Sequence, residues 1–187
     1  MKRLFDILFS LTALIILSPL MIMTAIAVKI SSRGSVLYWS ERIGKDGQLF
    51  FMPKFRTMCP TTPKLATAEI DTPSQYITGR TGSFLRKTSI DELPQFFSVL
   101  TGDMSVVGPR PVIRTERHLL RMRREKGINA LLPGVTGWAQ INGRDNVTTK
   151  DKVRLDEEYL HNQSLLFDMF IIALTTKRFL WDSSVRH

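Results

Sequence analysis

The chain holds 187 residues, 43% hydrophobic and 23% charged, which fits one domain with a core of ordinary size and excludes global disorder. Its formal net charge of +9 favours an anionic partner: nucleic acid, an anionic membrane surface or a phosphorylated ligand. Cys59 is the lone cysteine, and His118, His161 and His187 are scattered, so neither a disulfide framework nor a structural zinc site is expected.

The first element is the run Leu4 to Val28, apolar almost throughout, with Lys2 and Arg3 before it and Lys29 and Arg33 after. Read as a signal peptide it offers a basic start and the small-x-small triplet Ala25-Ile26-Ala27, but its apolar part is long and carries Asp6. Read as a spanning helix it has the required length of about 20 apolar residues. Ser18-Pro19 opens a third reading. Proline removes a helix hydrogen bond and clashes with the carbonyl four residues back, so a kink or break is expected there. Ser18 can return its hydroxyl to the freed carbonyl. The arm from Leu4 to Leu17 rises only about 21 Å, short of a hydrocarbon core of roughly 30 Å. Basic residues at both ends favour keeping both on the cytoplasmic side. A re-entrant helix that bends at Ser18-Pro19 satisfies both constraints, with a kinked spanning helix as the alternative.

Val36 to Trp39 and Leu49 to Met52 are predicted as short strands around a turn at Gly44-Lys45-Asp46-Gly47. Cys59 to Gln75, rich in Thr, Pro and Ala, reads as a surface loop. Pro94 to Leu100 is a short helix ended by Gly102. Arg114 to Lys126 is a basic amphipathic helix carrying Leu119, Leu120 and Met122. Pro133 to Gly143 is Gly-rich and is expected as loop and short strand rather than helix. Asp151 to Leu160 reads as a polar helix. Leu165 to Trp181 places Phe167, Phe170, Ile171, Leu174 and Phe179 along a helix. It either packs on the core or lies in a membrane interface with Trp181 as anchor.

The segment Thr88-Ser89-Ile90-Asp91-Glu92-Leu93-Pro94-Gln95 is the most informative. Ser89 with Glu92 three residues on has the form of a capping box, but Pro94 would then fall at the fifth helical position, where its missing N–H breaks a bond. With Asp91 as N-cap, Pro94 falls where no N–H partner is needed. Adjacent carboxylates are therefore expected at a helix start, where the dipole favours their ionised forms. The bland reading is a capping Asp beside an exposed Glu. Basic residues surround the pair in turn-like settings: Arg80, Arg86 and Lys87 before it, and Arg110 in Gly108-Pro109-Arg110-Pro111 after it. Lys54 and Arg56 follow a predicted strand, and Arg144 ends the run Pro133 to Arg144. Planar guanidinium forks suit phosphate oxygens, and several of them around acidic residues suit metal-assisted phosphoryl chemistry.

Together KFRTM, LRKTSIDELPQ, GDMSVVGPRP, PGVTGWAQINGR and the Lys2-Arg3/Asp6/Ser18-Pro19 start resemble the small monotopic phosphoglycosyl transferases of bacterial glycoconjugate assembly. The resemblance runs essentially the whole chain, and without a long multi-span region before it the chain resembles the family's minimal catalytic form. It implies an α+β fold with residues 1–30 as a re-entrant membrane helix-break-helix. Residues 31–187 are then a cytoplasmic and interfacial catalytic part, with amphipathic helices and short strands. It implies Asp91 as the nucleophile that attacks the β-phosphorus of a UDP-sugar and releases UMP, with Glu92 as its partner and Mg²⁺ ligand. A covalent aspartyl phosphosugar then passes to polyprenyl (undecaprenyl) phosphate. Asp91 and Glu92 are the candidate metal site, Mg²⁺ the cofactor, and Lys54, Arg56, Arg86, Arg110 and Arg144 the candidate phosphate-binding residues. Asp156 and Asp168 match acidic positions with supporting roles, and Ser18-Pro19 matches the helix-breaking motif. The expected location is the cytoplasmic face of a bacterial inner membrane, among its lipids. One departure is Ile77 to Gly82, one residue longer than the family spacing, which leaves Arg80 without an assigned role.

Two other classes compete. A basic, membrane-tethered protein without catalysis would use the same arginines for lipid headgroups, and would depend on neither Asp91 nor Mg²⁺. Nucleic-acid binding rests on net charge alone, with no recognised motif and no row of aromatics, and is not expected.

Overall fold

The N-terminal apolar run folds as one helix, α1 (Lys2–Ser31), with Pro19 inside it. A computed structural model describes residues 1–59, 62, 73–143 and 148–181. Of the kink or break expected at Ser18-Pro19, an interruption is not seen: the helical hydrogen bonding of α1 runs on past Pro19. The reason is local. Pro19 leaves the Ile15 carbonyl without its usual partner, and the Ser18 hydroxyl donates to that carbonyl at 2.8 Å.

Beyond α1, the strands β1 (Leu37–Ile43) and β2 (Leu49–Phe55) form an antiparallel hairpin with Leu37 opposite Phe55 and Ile43 opposite Leu49. The turn lies where the sequence places it, with Asp46 at φ 52° and Gly47 at φ 79°. The strands run further than expected, through Ile43 and Phe55. Two helices follow, α2 (Gly79–Lys87) and α3 (Gln95–Thr101), the latter closed by Gly102 at φ 98°. The parallel strands β3 (Ser105–Val107) and β4 (Gly134–Thr136) form the second sheet. Between them lies α4 (Arg117–Glu125), and after them come α5 (Trp138–Gly143), α6 (Thr149–Asn162) and α7 (Leu165–Trp181). The mixed helix-and-strand class is as expected.

Two helices depart from the sequence reading. The α2 segment carries two glycines and was expected to be turn-like around Arg80, Arg86 and Lys87. Gly82 instead packs under strand-end backbone, where an added Cβ would lie 2.6 Å from the Thr57 carbonyl oxygen, and Leu85 enters the core. The α5 segment was expected as loop. Ala139 and Ile141 are buried there, and the Trp138 ring lies 5.1 Å from Phe167, so tertiary packing overrides glycine-rich propensity. Most of the Cys59 to Gln75 loop lies outside the described residues.

Two apolar clusters hold the fold. Phe50, Met52, Val99, Met104, Val107, Tyr159 and Ile171 form one; Val28, Phe55 and Leu85 form the other. α1 touches both, with Phe9 against the first and Val28 inside the second. Its polar residues serve as fasteners. Asp6 accepts from the Val106 amide at 3.0 Å and the Ser105 hydroxyl at 2.9 Å, and Arg3 donates to the Val99 and Leu100 carbonyls that end α3. Lys2 pairs with buried Asp168 at 2.6 Å. The outward face of α1 leaves Leu4, Leu8, Ile15, Ile16, Ile22, Met23 and Ile26 exposed. Among the described residues α1 is the one helix long and apolar enough to cross a membrane. Exposed apolar side chains recur on α2 (Phe84), α3 (Phe97) and α7 (Leu166, Met169, Phe170), so α7 both packs on the core through Ile171 and offers an apolar outer face.

Candidate active site

The site forms where the hairpin, the Asp91-Glu92 turn and the Gly108–Pro111 loop meet. On β2 the pleat sends alternate residues to one face, so Phe50, Met52 and Lys54 point together. Met52 and Lys54 both line a small cavity with Glu92, Gln95, Arg110 and Gln140. Register adds a residue that sequence reasoning missed. Arg42 lies opposite Phe50, so it shares the face of Met52 and Lys54 and lines the same cavity. Its signal was available: with the turn at 44–47, every second residue of the first strand faces an even-numbered residue of the second.

Asp91 does not cap α3. It lies in a 3-10 turn (Ile90–Glu92) entered through Ser89 at φ 52°, with Pro94 at the helix boundary, so the Asp91 capping expectation is not met, while Ser89 makes no capping bond, in line with the argument from Pro94. The i to i+3 turn places the two carboxylates in different surroundings. Asp91 is buried, 8% exposed. Burial first, and the neighbouring Glu92 charge second, push its carboxyl up to about 6, against the pull of Lys54 and Arg86. Burial thus works against the ionised form of Asp91 that a helix dipole is expected to favour. Glu92 goes the other way. Burial pushes it up, but Lys54, at 2.5 Å, and Arg110 outweigh burial and bring it down to about 2.

Arg42 is held below its ordinary value by burial and by the like charge of Arg110, with Glu116 and Glu92 opposing. Two guanidiniums brought close in one cavity with Lys54, against the single Glu92 carboxylate in its lining, make a preformed site for a multiply charged anion.

Arg110 is aimed by a chain of contacts. The Gly134 amide donates to the Pro109 carbonyl and the Gly108 amide to the Thr136 carbonyl, both at 2.9 Å. A Cβ at Gly134 would lie 2.1 Å from the Gly108 nitrogen, so the two loops approach closely only as glycines. Behind them Asp156 accepts from Arg123 at 3.0 and 2.7 Å, and Arg123 donates to the Arg110 carbonyl at 2.8 Å. Burial raises the Asp156 carboxyl while Arg123 opposes it. Asp168, bonded to Lys2 and to the Tyr159 hydroxyl at 2.6 Å each, ties α1, α6 and α7 together; it stands away from the cavity lining.

The other sequence candidates separate. Arg86 sits on α2, close enough for its charge to act on Asp91. Arg56 turns away: it is buried and donates to the Ser32 carbonyl and hydroxyl at 3.0 and 2.8 Å, fastening the end of α1. The phosphate role expected of Arg56 is thus replaced by a structural one. Arg80 is exposed on α2. Arg144 lies outside the described residues. No group of three or more His, Cys, Asp or Glu fit for a metal is present among the described residues. Magnesium is ordinarily held by one or two carboxylates plus substrate phosphates, and the ionised Glu92 beside the basic cavity fits that pattern.

A family model described as bacterial sugar transferase matches residues 1–182. An exopolysaccharide production protein, ExoY, of Sinorhizobium fredii is 40% identical, the match covering 93% of this chain and 83% of that protein. The UDP-glucose:undecaprenyl-phosphate glucose-1-phosphate transferase of Escherichia coli K12 is 40% identical over 94% of this chain and 39% of its own length. The UDP-N-acetylgalactosamine-undecaprenyl-phosphate N-acetylgalactosaminephosphotransferase of Aeromonas hydrophila is 36% identical over 96% of this chain and 43% of its own. The chain thus spans under half the length of these last two relatives.

Proposed function

The chain belongs to the bacterial sugar transferase family, and from that premise we propose that it moves a sugar-1-phosphate from a UDP-sugar to undecaprenyl phosphate. The observation that carries this reading is the pair of adjacent carboxylates set among basic groups: Glu92 lines the cavity with Arg42, Lys54 and Arg110, and Asp91 next to it lies under the charges of Lys54 and Arg86. The named relatives act on two different sugars, glucose and N-acetylgalactosamine, so a panel of donors decides which one this chain takes.

In the first step an ionised Asp91 oxygen attacks the β-phosphorus. The bond from that phosphorus to the bridging oxygen breaks, and UMP leaves with the electron pair. In the second, an oxygen of undecaprenyl phosphate attacks the same phosphorus, the bond to Asp91 breaks, and the carboxylate is restored as the lipid diphosphate sugar forms. Splitting the transfer this way is ordinary nucleophilic catalysis. Arg42, Lys54 and Arg110 hold the diphosphate charge, and Arg86 favours the ionised nucleophile. Glu92 would hold Mg²⁺ with the donor's phosphate oxygens, the ion's charge offsetting that of the diphosphate.

The membrane arrangement follows from α1. Both ends rest on the same body, through Lys2 and Asp6 at one end and Val28 at the other, while the apolar residues between face outward. We read α1 as bending at Pro19 without losing its helical continuity, so that it dips into one leaflet and returns, with the catalytic part on the cytoplasmic face of the inner membrane. The charged, soluble donor and the headgroup-depth carrier phosphate then meet at one site.

The test is UMP release by nanodisc-held protein with Mg²⁺, undecaprenyl phosphate and a panel of UDP-sugars. Release with one sugar, abolished in Asp91→Asn, is the expected result. Full turnover in that variant would remove Asp91 as nucleophile. No release from any donor would shift the weight to the lipid-binding reading.

A further inference from the structure

A second and larger cavity, about 390 Å³, lies beyond Arg110, between the hairpin tip, the Pro109–Val112 loop and α4. The sequence reads α4 as a basic amphipathic helix, and the reaction above uses none of its exposed charges. In the structure Arg117, Arg121 and Arg124 stand at i, i+4 and i+7, on one face of the helix. All three line this cavity, together with Arg110 and Arg123. The described lining residues include no Asp or Glu. Buried Val112 and Ile128, with Leu120, supply apolar wall between the charges.

The partners of these arginines decide what the cavity takes. Arg123 is committed to Asp156 and to the Arg110 carbonyl, so its charge is already offset. Arg121 has an exposed pair with Glu125, worth little in water. Among the described residues no carboxylate pairs with Arg117 or Arg124. Like charges gathered in a concave, partly apolar wall focus a positive field and concentrate anions. Guanidinium forks match phosphate oxygens. The row from Arg117 to Arg124 rises about 10.5 Å along α4, more than one phosphate can bridge. No lining residue comes from α1, α2, α3 or α7, the helices that carry the exposed apolar faces, which favours a ligand from solution over one from the bilayer.

We propose that this cavity is a second anion site, separate from the transfer reaction, that takes a soluble ligand of several linked phosphate groups and inhibits through Arg110. Of its arginines Arg110 alone also lines the first cavity. An anion beside Arg117 and Arg124 draws on the same Arg110 charge that serves the first cavity, so the two sites oppose each other. Linkage then requires that a ligand at either site weakens binding at the other by the same factor.

The probe is inorganic tripolyphosphate, with free Mg²⁺ held constant. Calorimetry measures its binding to protein in phosphatidylcholine nanodiscs, for wild type, Lys54→Ala and the double variant Arg117→Ala with Arg124→Ala, two exposed positions outside the core. Wild type and Lys54→Ala are expected to bind, and the double variant at least tenfold more weakly. In kinetics the probe is expected to raise the wild-type KM for the UDP-sugar. The double variant keeps the wild-type KM when no probe is present and escapes the inhibition. Binding lost in Lys54→Ala but kept in the double variant would put the anion in the first cavity and overturn the proposal. A KM raised tenfold in the double variant without the probe would also overturn it, because the cavity would then belong to the donor. Binding abolished when phosphatidylglycerol replaces phosphatidylcholine would overturn the soluble source and assign the arginines to lipid headgroups. Calorimetry needs no turnover, so a protein inactive toward every donor still tests the site.

Discussion

At the scale of single residues, the opposite ionisation of Asp91 and Glu92 has consequences for both rate and stability. A nucleophilic carboxylate works only when ionised, so the first step should slow about tenfold per pH step below about pH 6, where Asp91 protonates. A pH profile of burst-phase UMP release checks this; a plateau continuing to pH 4.5 would contradict it. The same displacement burdens the fold. Because the native state holds the Asp91 proton more tightly than the unfolded chain, stability from this group is greatest at low pH and declines as pH rises through about 6. At pH 8 the loss is on the order of 2–3 kcal/mol. Asp91→Asn should therefore raise the thermal midpoint at pH 8 while abolishing turnover, and the rise should vanish near pH 4. Asp156 is likewise raised by burial, but it has a buried partner, Arg123, that needs its charge. Asp156→Ala leaves a buried guanidinium unpaired, expected to lower stability by about 3–5 kcal/mol and to loosen the backbone of Arg110. Denaturant unfolding measures the first effect, and KM for the donor the second.

At the scale of elements, the site is built where short pieces lock by close backbone approach. β3 and β4 pair over only Ser105–Val107 and Gly134–Thr136, and the glycines at 108 and 134 let the two loops touch. Gly134→Ala would set a Cβ 2.1 Å from the Gly108 nitrogen and 2.4 Å from the Thr136 oxygen, both backbone atoms that cannot swing aside. It should lower stability by roughly 2 kcal/mol or more, with a rise in donor KM because Arg110 moves. Wild-type KM in a destabilised Gly134→Ala protein would separate the loop's packing from its aim. The hairpin shows how far sequence carries at this scale. Once the turn is located at 44–47, period-2 alternation puts Arg42 and Lys54 on one face. α2 and α5 were illegible because their helicity comes from Gly82 packing under Thr57 and from Trp138 against Phe167, not from their own propensity.

At the scale of the whole molecule, α1 is the element on which the membrane reading turns. A helix of 30 residues is about 45 Å long, ample to cross a hydrocarbon core of roughly 30 Å. Its fasteners, however, lie at both ends. Single cysteines at Met1 and Ser31, in a chain with Cys59 replaced by Ser, should both react with an impermeant maleimide from the same side of the bilayer. Labelling from opposite sides would make α1 a spanning helix. In Ser18→Ala with Pro19→Ala the geometry set by proline is gone, and the helix is expected to shift toward spanning, with one cysteine becoming protected.

The sequence by itself determined the apolar N-terminal helix, the hairpin and its turn, the acidic pair, and the basic residues Lys54 and Arg110, because periodicity, turn chemistry and motif residues are local properties. Tertiary structure alone decided which charges converge. It sent Arg56 to the end of α1, brought Arg42 beside Arg110, split Asp91 from Glu92 in proton affinity, and gave Asp156 and Asp168 their partners. Burial and proximity between residues distant in the chain set these outcomes, and neither is a property of any segment taken alone.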